Sequence, residues 1–289
     1  MAWLLDKGPF RSLSEANGTA PGDFTVPTLF RVNVPVRGLD RRLDGLRVGQ
    51  LSDVHLGPFQ RLEYLERALR LFGRHPPEIL AVTGDLLDRE DWTVPALDII
   101  SRVRAPLGRF YVMGNHENYA GRQEIMAAAR AHRGVRFLWR ESVEVRVGGA
   151  RVRVLGMDYP PGNQPMEFFF RRRPIPHFFY QRRFPDADRE VTEVTQGTED
   201  ADFRLCLVHH PDYFDQLRHL PVELTLAGHT HGGQVDPVGT FFARAAFRYV
   251  LGHYESGGRH LYVNGGTGHN FPVRVNVHAE VTELTLRRA

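Results

Sequence analysis

Apolar residues come along this chain in short runs, each followed by a polar loop built from Gly, Asp, Asn or His. The unit recurs as LRVGQLSDVH (46–55), EILAVTGD (78–85), RFYVMGNHE (109–117), FRLCLVHHP (203–211) and VELTLAGHTH (222–231). Short apolar runs bounded by turn residues read as strands. Between the first three, RLEYLERALRLFGRH (61–75) and TVPALDIISRVR (93–104) space their apolar residues as helices do, and a third such stretch, RQEIMAAARAHRG (122–134), follows. Strand, helix, strand is the βαβ unit of an α/β sheet. The later runs VEVRV, ARVRVLGMD, HLYVNGG and EVTELTL alternate with little helix between them, which predicts a second, more antiparallel sheet packed on the first.

No internal repeat or low-complexity linker divides the 289 residues. They read as one domain, with a motif-bearing core over 46–289, an N-terminal extension over 1–25 and an aromatic and arginine-rich insertion over about 160–200. A hydrophobic content of 42% with 25% charged residues is ordinary for a globular protein. The single cysteine, Cys206, excludes a disulfide framework and a multi-cysteine zinc ribbon, and within RLCLVHH it reads as a small buried hydrophobe. The opening MAWLLDKG holds too few apolar residues for a signal-peptide core, and no apolar run approaches the ~18 residues of a membrane span. A cytoplasmic protein is expected, soluble or peripheral on the inner membrane. A formal charge of +3 and no helix-turn-helix, zinc-finger or RNA-binding signature argue against a nucleic-acid-binding module.

Functional groups in α/β sheets gather beyond the carboxyl ends of the strands. Each of the five loops lies at such an end and carries metal-binding residue types: Asp53 and His55, Asp85, Asn115 and His116, His209 and His210, His229 and His231. Oxygen and imidazole without thiolate suit Mn, Fe or Zn better than a structural zinc cage. The set is too large for one ion. With Asp85 able to bridge, it divides into two groups, as in sites whose metals lie ~3.5–4 Å apart and activate a shared water for in-line attack at phosphorus. Gly84, Gly114, Gly228, Gly232 and Gly233 beside these residues are expected to take positive φ and let backbone approach the ions or a phosphate.

In order and type, DVH (53–55), GD (84–85), GNHE (114–117), HH (209–210) and GHTH (228–231) resemble the five motifs of the calcineurin-like metallophosphoesterases. The resemblance runs from about Leu46 to the end. GLRVGQLSDVHLGP, PLGRFYVMGNHENYAG, HHPDYFDQL and GHTHGGQV, with YVNGGTG and PVRVN, look like the bacterial subgroup of cell-wall phosphodiesterase-like and UDP-2,3-diacylglucosamine pyrophosphatase-like proteins. It implies a four-layer αββα sandwich with two mixed sheets and two divalent metal ions. Asp53, His55 and His231 would hold the first ion, Asp85 would bridge, and Asn115, His209 and His229 would hold the second. His116 matches the catalytic histidine that assists the leaving oxygen.

Plainer readings stand beside these. Asp and Asn favour turns, His116 could be a spacer, Asp88 a helix cap rather than a group orienting a ligand, and His210 a polar neighbour. His253 and His269 could line a pocket; His75, His132, His219, His260 and His278 read as surface or satisfied histidines. The segment FFFRRRPIPHFFYQRRF (168–184) holds seven aromatics and five arginines without an acid. It reads either as a cap packed on the sandwich or as an element in which Arg171, Arg172, Arg173, Phe178 and Phe179 meet a membrane or a lipid-linked substrate. The expected function is hydrolysis of a phosphodiester, pyrophosphate or phosphomonoester by a metal-bridging hydroxide. The alternative is a non-catalytic metal-binding scaffold, or a membrane-associated sensor, on the same fold.

Overall fold

A computed structural model of the chain describes residues 11–15, 25–73, 75–159, 187–269 and 272–289. An edge strand β1 (Arg11–Glu15) pairs antiparallel with β2 (Thr28–Val36). Then β3 (Arg47–Leu51), α1 (Leu62–Arg70), β4 (Ile79–Thr83), α2 (Thr93–Ser101), β5 (Gly108–Val112), α3 (Asn115–Ala131) and β6 (Arg136–Phe137) run as successive βαβ units with parallel neighbours. In α1, Leu65, Ala68 and Leu69 are buried while Glu63, Arg67 and Arg70 face water, the stripe that turns a helix onto a sheet.

A hairpin follows, β7 (Glu141–Val147) and β8 (Ala150–Gly156), closed by Gly148 and Gly149 with φ of 54° and 89°. Two consecutive left-handed residues make a turn whose twist matches that of the strands. Beyond it lie α4 (Ala187–Thr195), β9 (Phe203–Leu207), the short α5 (Phe214–Leu217), β10 (Leu224–Ala227), α6 (Val238–Ala246), β11 (Gly252–Ser256), β12 (Arg259–Val263) and β13 (Glu280–Arg288). One sheet has the order β1-β2-β13-β3-β4-β5-β6 and the other β11-β12-β10-β9-β8-β7. Both are mixed.

The layers follow from where apolar side chains point. Val34, Val48, Ile79, Phe110, Val154, Leu205, Leu224, Leu226 and Leu284 form the core between the sheets. Leu65, Leu97, Ile100 and Ile125 pack α1, α2 and α3 on the outer face of the first sheet; Val191, Phe214 and Leu217 pack α4 and α5 on that of the second. The architecture is therefore the expected αββα sandwich. Cys206 lies in the outer cluster of the second sheet, a buried hydrophobe as read, and burial pushes its thiol pKa up. No helix among the described residues is long and apolar enough to cross a membrane.

Three expectations need correction. The second sheet is not mainly antiparallel: β8, β9, β10 and β12 run parallel, and only β7 and β11 at the edges oppose them. EVTELTL does not belong to it either. As β13 it inserts between β2 and β3 in the first sheet, and two of its polar residues are buried in an internal network: Glu280 accepts from Tyr262 and Thr282, and Thr282 accepts from Asn264. Last, the helix read from 122 begins at Asn115, with a break at Gly121 (φ 134°), where a β-carbon would sit 2.1 Å from Glu90 Oε2. Residues 171–173, 178 and 179 lie outside the described residues.

The chain leaves and re-enters the described region at Asp158–Tyr159 and Ala187. Glu190 of α4 accepts from the Asp158 amide at 2.6 Å, and Arg122 of α3 binds both Asp158 oxygens at 2.9 Å. Both ends are thus tied together. For the core, Leu224→Ala is expected to lower unfolding stability by ~3 kcal/mol in urea titration. A loss below ~1 kcal/mol would contradict the face-to-face packing of the sheets at that point.

Candidate metal centre

The two sheets present their strand ends at one rim. Asp53 and His55 follow β3, Asp85 follows β4, and Asn115 and His116 open α3 after β5, all from the first sheet; His209 follows β9, and His229 and His231 follow β10, from the second. Gln50 of β3 crosses beneath them, its Nε2 donating to Thr83 Oγ1 at 3.0 Å and to the Ala227 carbonyl at 2.9 Å. The loops also hold one another: Asp53 N donates to Gly84 O, His55 N to Asp85 O and Gly228 N to His209 O.

Left-handed backbone falls on the ligand candidates themselves. Asp53, His55, Asp85, His229 and His231 have φ of 53°, 54°, 49°, 74° and 50°. Gly84, Gly232 and Gly233 take positive φ as expected, but Gly114 and Gly228 do not. Those two are needed for close approach: a β-carbon on Gly114 would lie 2.1 Å from Asp85 Oδ1, and one on Gly228 2.2 Å from Asp53 Oδ2.

Two clusters result. Asp53, His55 and His231 form one, with His55 Nε2 3.0 Å from His231 Nε2 and His231 Nε2 3.5 Å from Asp53 Oδ1. Asp85, His209 and His229 form the other, with Asp85 Oδ2 at 3.2 Å and His229 Nδ1 at 3.0 Å from His209 Nε2. Asn115 Oδ1 joins it, 3.2 Å from the same nitrogen. Asp85 Oδ2 is also 3.9 Å from His55 Nε2, so one carboxylate oxygen faces both clusters.

The donor chemistry fits cations. His209 Nδ1 lies 2.8 Å from the Thr83 carbonyl, which can only accept, so in the neutral ring the Nε2 lone pair points at Asn115, Asp85 and His229. His55 is oriented alike by Asp88 Oδ1, 3.0 Å from its Nδ1, leaving Nε2 toward the first cluster. Several donor atoms thus converge within reach of one another, an arrangement that fits a divalent ion.

Titration follows the same field. Burial pushes the Asp85 carboxyl up, but the charges of His209, His116 and His55 outweigh it and hold Asp85 well below the usual carboxylate range. Burial lowers His209 and His116, yet Asp85 brings each up to about 9. Bound divalent ions would displace these protons from the ligands. Asp88, raised by burial and lowered more by hydrogen bonds from His116 and His55, settles at about 2 and is an anion.

Asp88 therefore orients rather than caps. Its Oδ1 also lies 2.8 Å from His116 Nδ1, which fixes that proton and turns His116 Nε2 toward Asp85 Oδ2 at 4.0 Å. His116 itself is 28% exposed, the access a proton donor needs. His210 Nδ1 accepts from Asp212 N at 3.2 Å and caps the turn after it, a polar neighbour as read. His253 stacks on His260 at 5.1 Å, and the pair is held by a contact of 3.0 Å between Nε2 and Nδ1. His269 is buried, and its pKa is lowered to about 4 by burial and by the charges of Arg274 and His55.

Two residues went unassigned in the sequence. Glu117, fully buried, accepts from the backbone N–H of Gly114, Asp85, Leu86 and Leu87 at 2.7 to 3.1 Å, which locks the Asp85 loop to the start of α3. Its signal was a Glu at the third position of a helix, the capping-box place. Arg274, also buried, sits behind His231; a lone arginine inside PVRVN carries no comparable signal.

The calcineurin-like phosphoesterase family model matches residues 46–233. The uncharacterized metallophosphoesterase YkuE of Bacillus subtilis is 26% identical over 84% of this chain and 80% of its own length. Phosphodiesterase YaeI of Escherichia coli is 27% identical over 82% and 80%. A transmembrane protein with metallophosphoesterase domain from Danio rerio is 27% identical over 91% of this chain, which spans 58% of that protein.

Removal of the Asp88 charge tests the orienting role. Asp88→Asn is expected to keep the fold and to weaken metal affinity or turnover by ~10–100-fold. Wild-type metal titration together with wild-type rate would show that Asp88 only shapes its turn.

Proposed function

This chain belongs to the calcineurin-like phosphoesterase family, and from that premise we propose that it hydrolyses a phosphate ester at a two-cation centre, with His116 as the proton donor to the leaving oxygen. The observation that carries the reading is the position of Asp85 Oδ2, 3.2 Å from His209 Nε2 and 3.9 Å from His55 Nε2, facing both clusters. Asp53, His55 and His231 would hold one divalent ion, Asn115, His209 and His229 the other, and Asp85 both; Mn, Fe and Zn all suit these donors. Such a pair, when bound, supplies an activated water and neutralises charge on the phosphoryl oxygens.

The protein's own groups supply the rest. Glu117 holds the Asp85 loop in place through backbone N–H groups, so the anion needs no rearrangement as the reaction proceeds. Asp88 keeps a proton on His116 Nδ1, which leaves Nε2 to deliver its proton to the departing oxygen. A scaffold without chemistry has no use for a donor so placed.

For the finer question of which ester, the rim favours a lipid-linked one. Val238, Phe241 and Phe242 of α6 are 60%, 69% and 59% exposed, on the helix that follows the His231 loop. Phe247, just past α6, lies 5.3 Å from the His229 ring. Exposed apolar side chains on a helix whose end reaches the second cluster would suit an acyl or prenyl tail, and the composition of the aromatic and arginine-rich residues 168–184 supports the same reading. A peripheral place on the cytoplasmic face of the inner membrane goes with that substrate.

Turnover of bis-p-nitrophenyl phosphate by the Mn²⁺-loaded protein tests the chemistry, and no hydrolysis of any generic phosphate ester would sink it. Asp85→Asn is expected to lose metal and activity together. His116→Ala should keep its metal and lose ~10²–10⁴-fold in rate; full activity would mean that another group is the acid. For the substrate, Phe241→Ser with Phe242→Ser should raise KM for a phospholipid-type diester while leaving bis-p-nitrophenyl phosphate unaffected. An equal effect on both substrates, or none on either, counts against the lipid tail.

A further inference from the structure

Arg274 is a buried cation beside a site built for cations. Among the described residues no carboxylate lies within ion-pair distance of its guanidinium. Burying an arginine without a counter-ion is costly unless its donors are otherwise used. Here the Nη donors are used on backbone, while Nε has no partner among the described residues. Nη1 donates to Gly265 O at 2.9 Å and His278 O at 3.1 Å, and Nη2 donates to Gly266 O at 3.0 Å and to Gly268 O.

Three of those carbonyls, of Gly265, Gly266 and Gly268, belong to a loop wedged between ligands of the first cluster. Thr267 N donates to Ser52 O at 2.7 Å and Gly268 N to Asp53 O at 2.8 Å, so the loop lies along the backbone that carries Asp53 and His55. On its other side it backs His231: a β-carbon on Gly266 would fall 2.7 Å from His231 Nδ1. The backbone around Arg274 is in turn fixed to the segment following His231, through Val275 N to Gln234 O at 3.0 Å and Asp236 N to Val275 O at 2.9 Å. Arg274 Nη2 completes the arrangement at 3.2 Å from His231 Nδ1. His209 and His55 have an acceptor behind Nδ1, a carbonyl or a carboxylate; His231 has instead this donor-only guanidinium, packed against its ring, and the loop that the guanidinium gathers.

We propose that Arg274 is the positioning residue of the first cation position, a planar clamp on four carbonyl oxygens that sets the distance between Asp53, His55 and His231. The assignment rests on the two-cation reading of the site. A lysine could not replace it, because a point-like ammonium with three donors cannot span carbonyls that a planar guanidinium fork reaches together. The second cluster has no contact with Arg274 among its own side-chain hydrogen bonds and should survive its loss.

The test is Mn²⁺ loading of the full chain, with bound metal counted after dialysis and the spin state read by electron paramagnetic resonance. Wild type is expected to bind two ions with the signal of a coupled pair. Arg274→Lys, folded by circular dichroism, is expected to bind one, with the signal of an isolated ion. Arg274→Ala should do the same and recover the coupled pair on addition of guanidinium but not of methylammonium, a rescue that mere loss of packing would not show. A coupled pair in Arg274→Lys overturns the proposal, and so does an Arg274→Ala protein that guanidinium leaves unchanged. If wild type shows no coupled pair, the two-cation reading falls first and takes this proposal with it; a pair in wild type that persists in both variants removes the proposal alone.

Discussion

The Asp85 carboxylate occupies the seam where two sheets meet, with Oδ1 accepting the His116 amide at 2.8 Å and Oδ2 turned toward histidines from both sheets. A buried anion in that place is tenable only if positive charge surrounds it. Much of the rim follows from this requirement. His209 and His116 carry raised pKa values because of Asp85, and the backbone of its loop is pinned by a second buried carboxylate, Glu117. The first sheet alone brings His55 and His116 to that oxygen, and the second adds His209, the nearest of the three at 3.2 Å.

Strain is the other side of that arrangement. Five ligand candidates hold left-handed backbone, a conformation that costs a non-glycine residue ~1 kcal/mol or more. Local sequence preference does not hold them there. What does is the cross-bracing between loops, such as Asp53 N to Gly84 O and His229 N to both Asp53 oxygens at 3.0 Å. Loops braced in this way keep their donors aimed, so binding an ion would require little reorganisation.

The five strand ends and the candidate ligands they bring together were legible because an apolar run followed by Gly, Asp, Asn or His is a local pattern, readable a few residues at a time. Sheet membership was not. In EVTELTL the alternation showed which residues share a face but not which neighbours would pair, and Tyr262, Asn264 and Arg31, which bind Glu280, Thr282 and Glu283, lie far off in the chain or in another strand. The early start of α3 was hidden by Gly121, which reads as a break although the helix resumes beyond it. Glu117 carried a local mark, the third helical position inside GNHE, but the three N–H groups it accepts from the Asp85 loop leave none on the sequence. Arg274 was illegible for the same reason: it recognises carbonyls, which every residue has.

The tie between Asp158 and Glu190 joins positions 32 apart in the chain through a single short hydrogen bond at the base of an excursion. Closing a loop costs free energy that grows only with the logarithm of its length, about 0.6 kcal/mol for each doubling. Selection can therefore lengthen, shorten or rewrite what lies beyond that tie almost independently of the rim, where Tyr159, at the threshold, already stands 5.6 Å from the His209 ring. A change in the number of residues between the two tied ends therefore costs the rim little free energy.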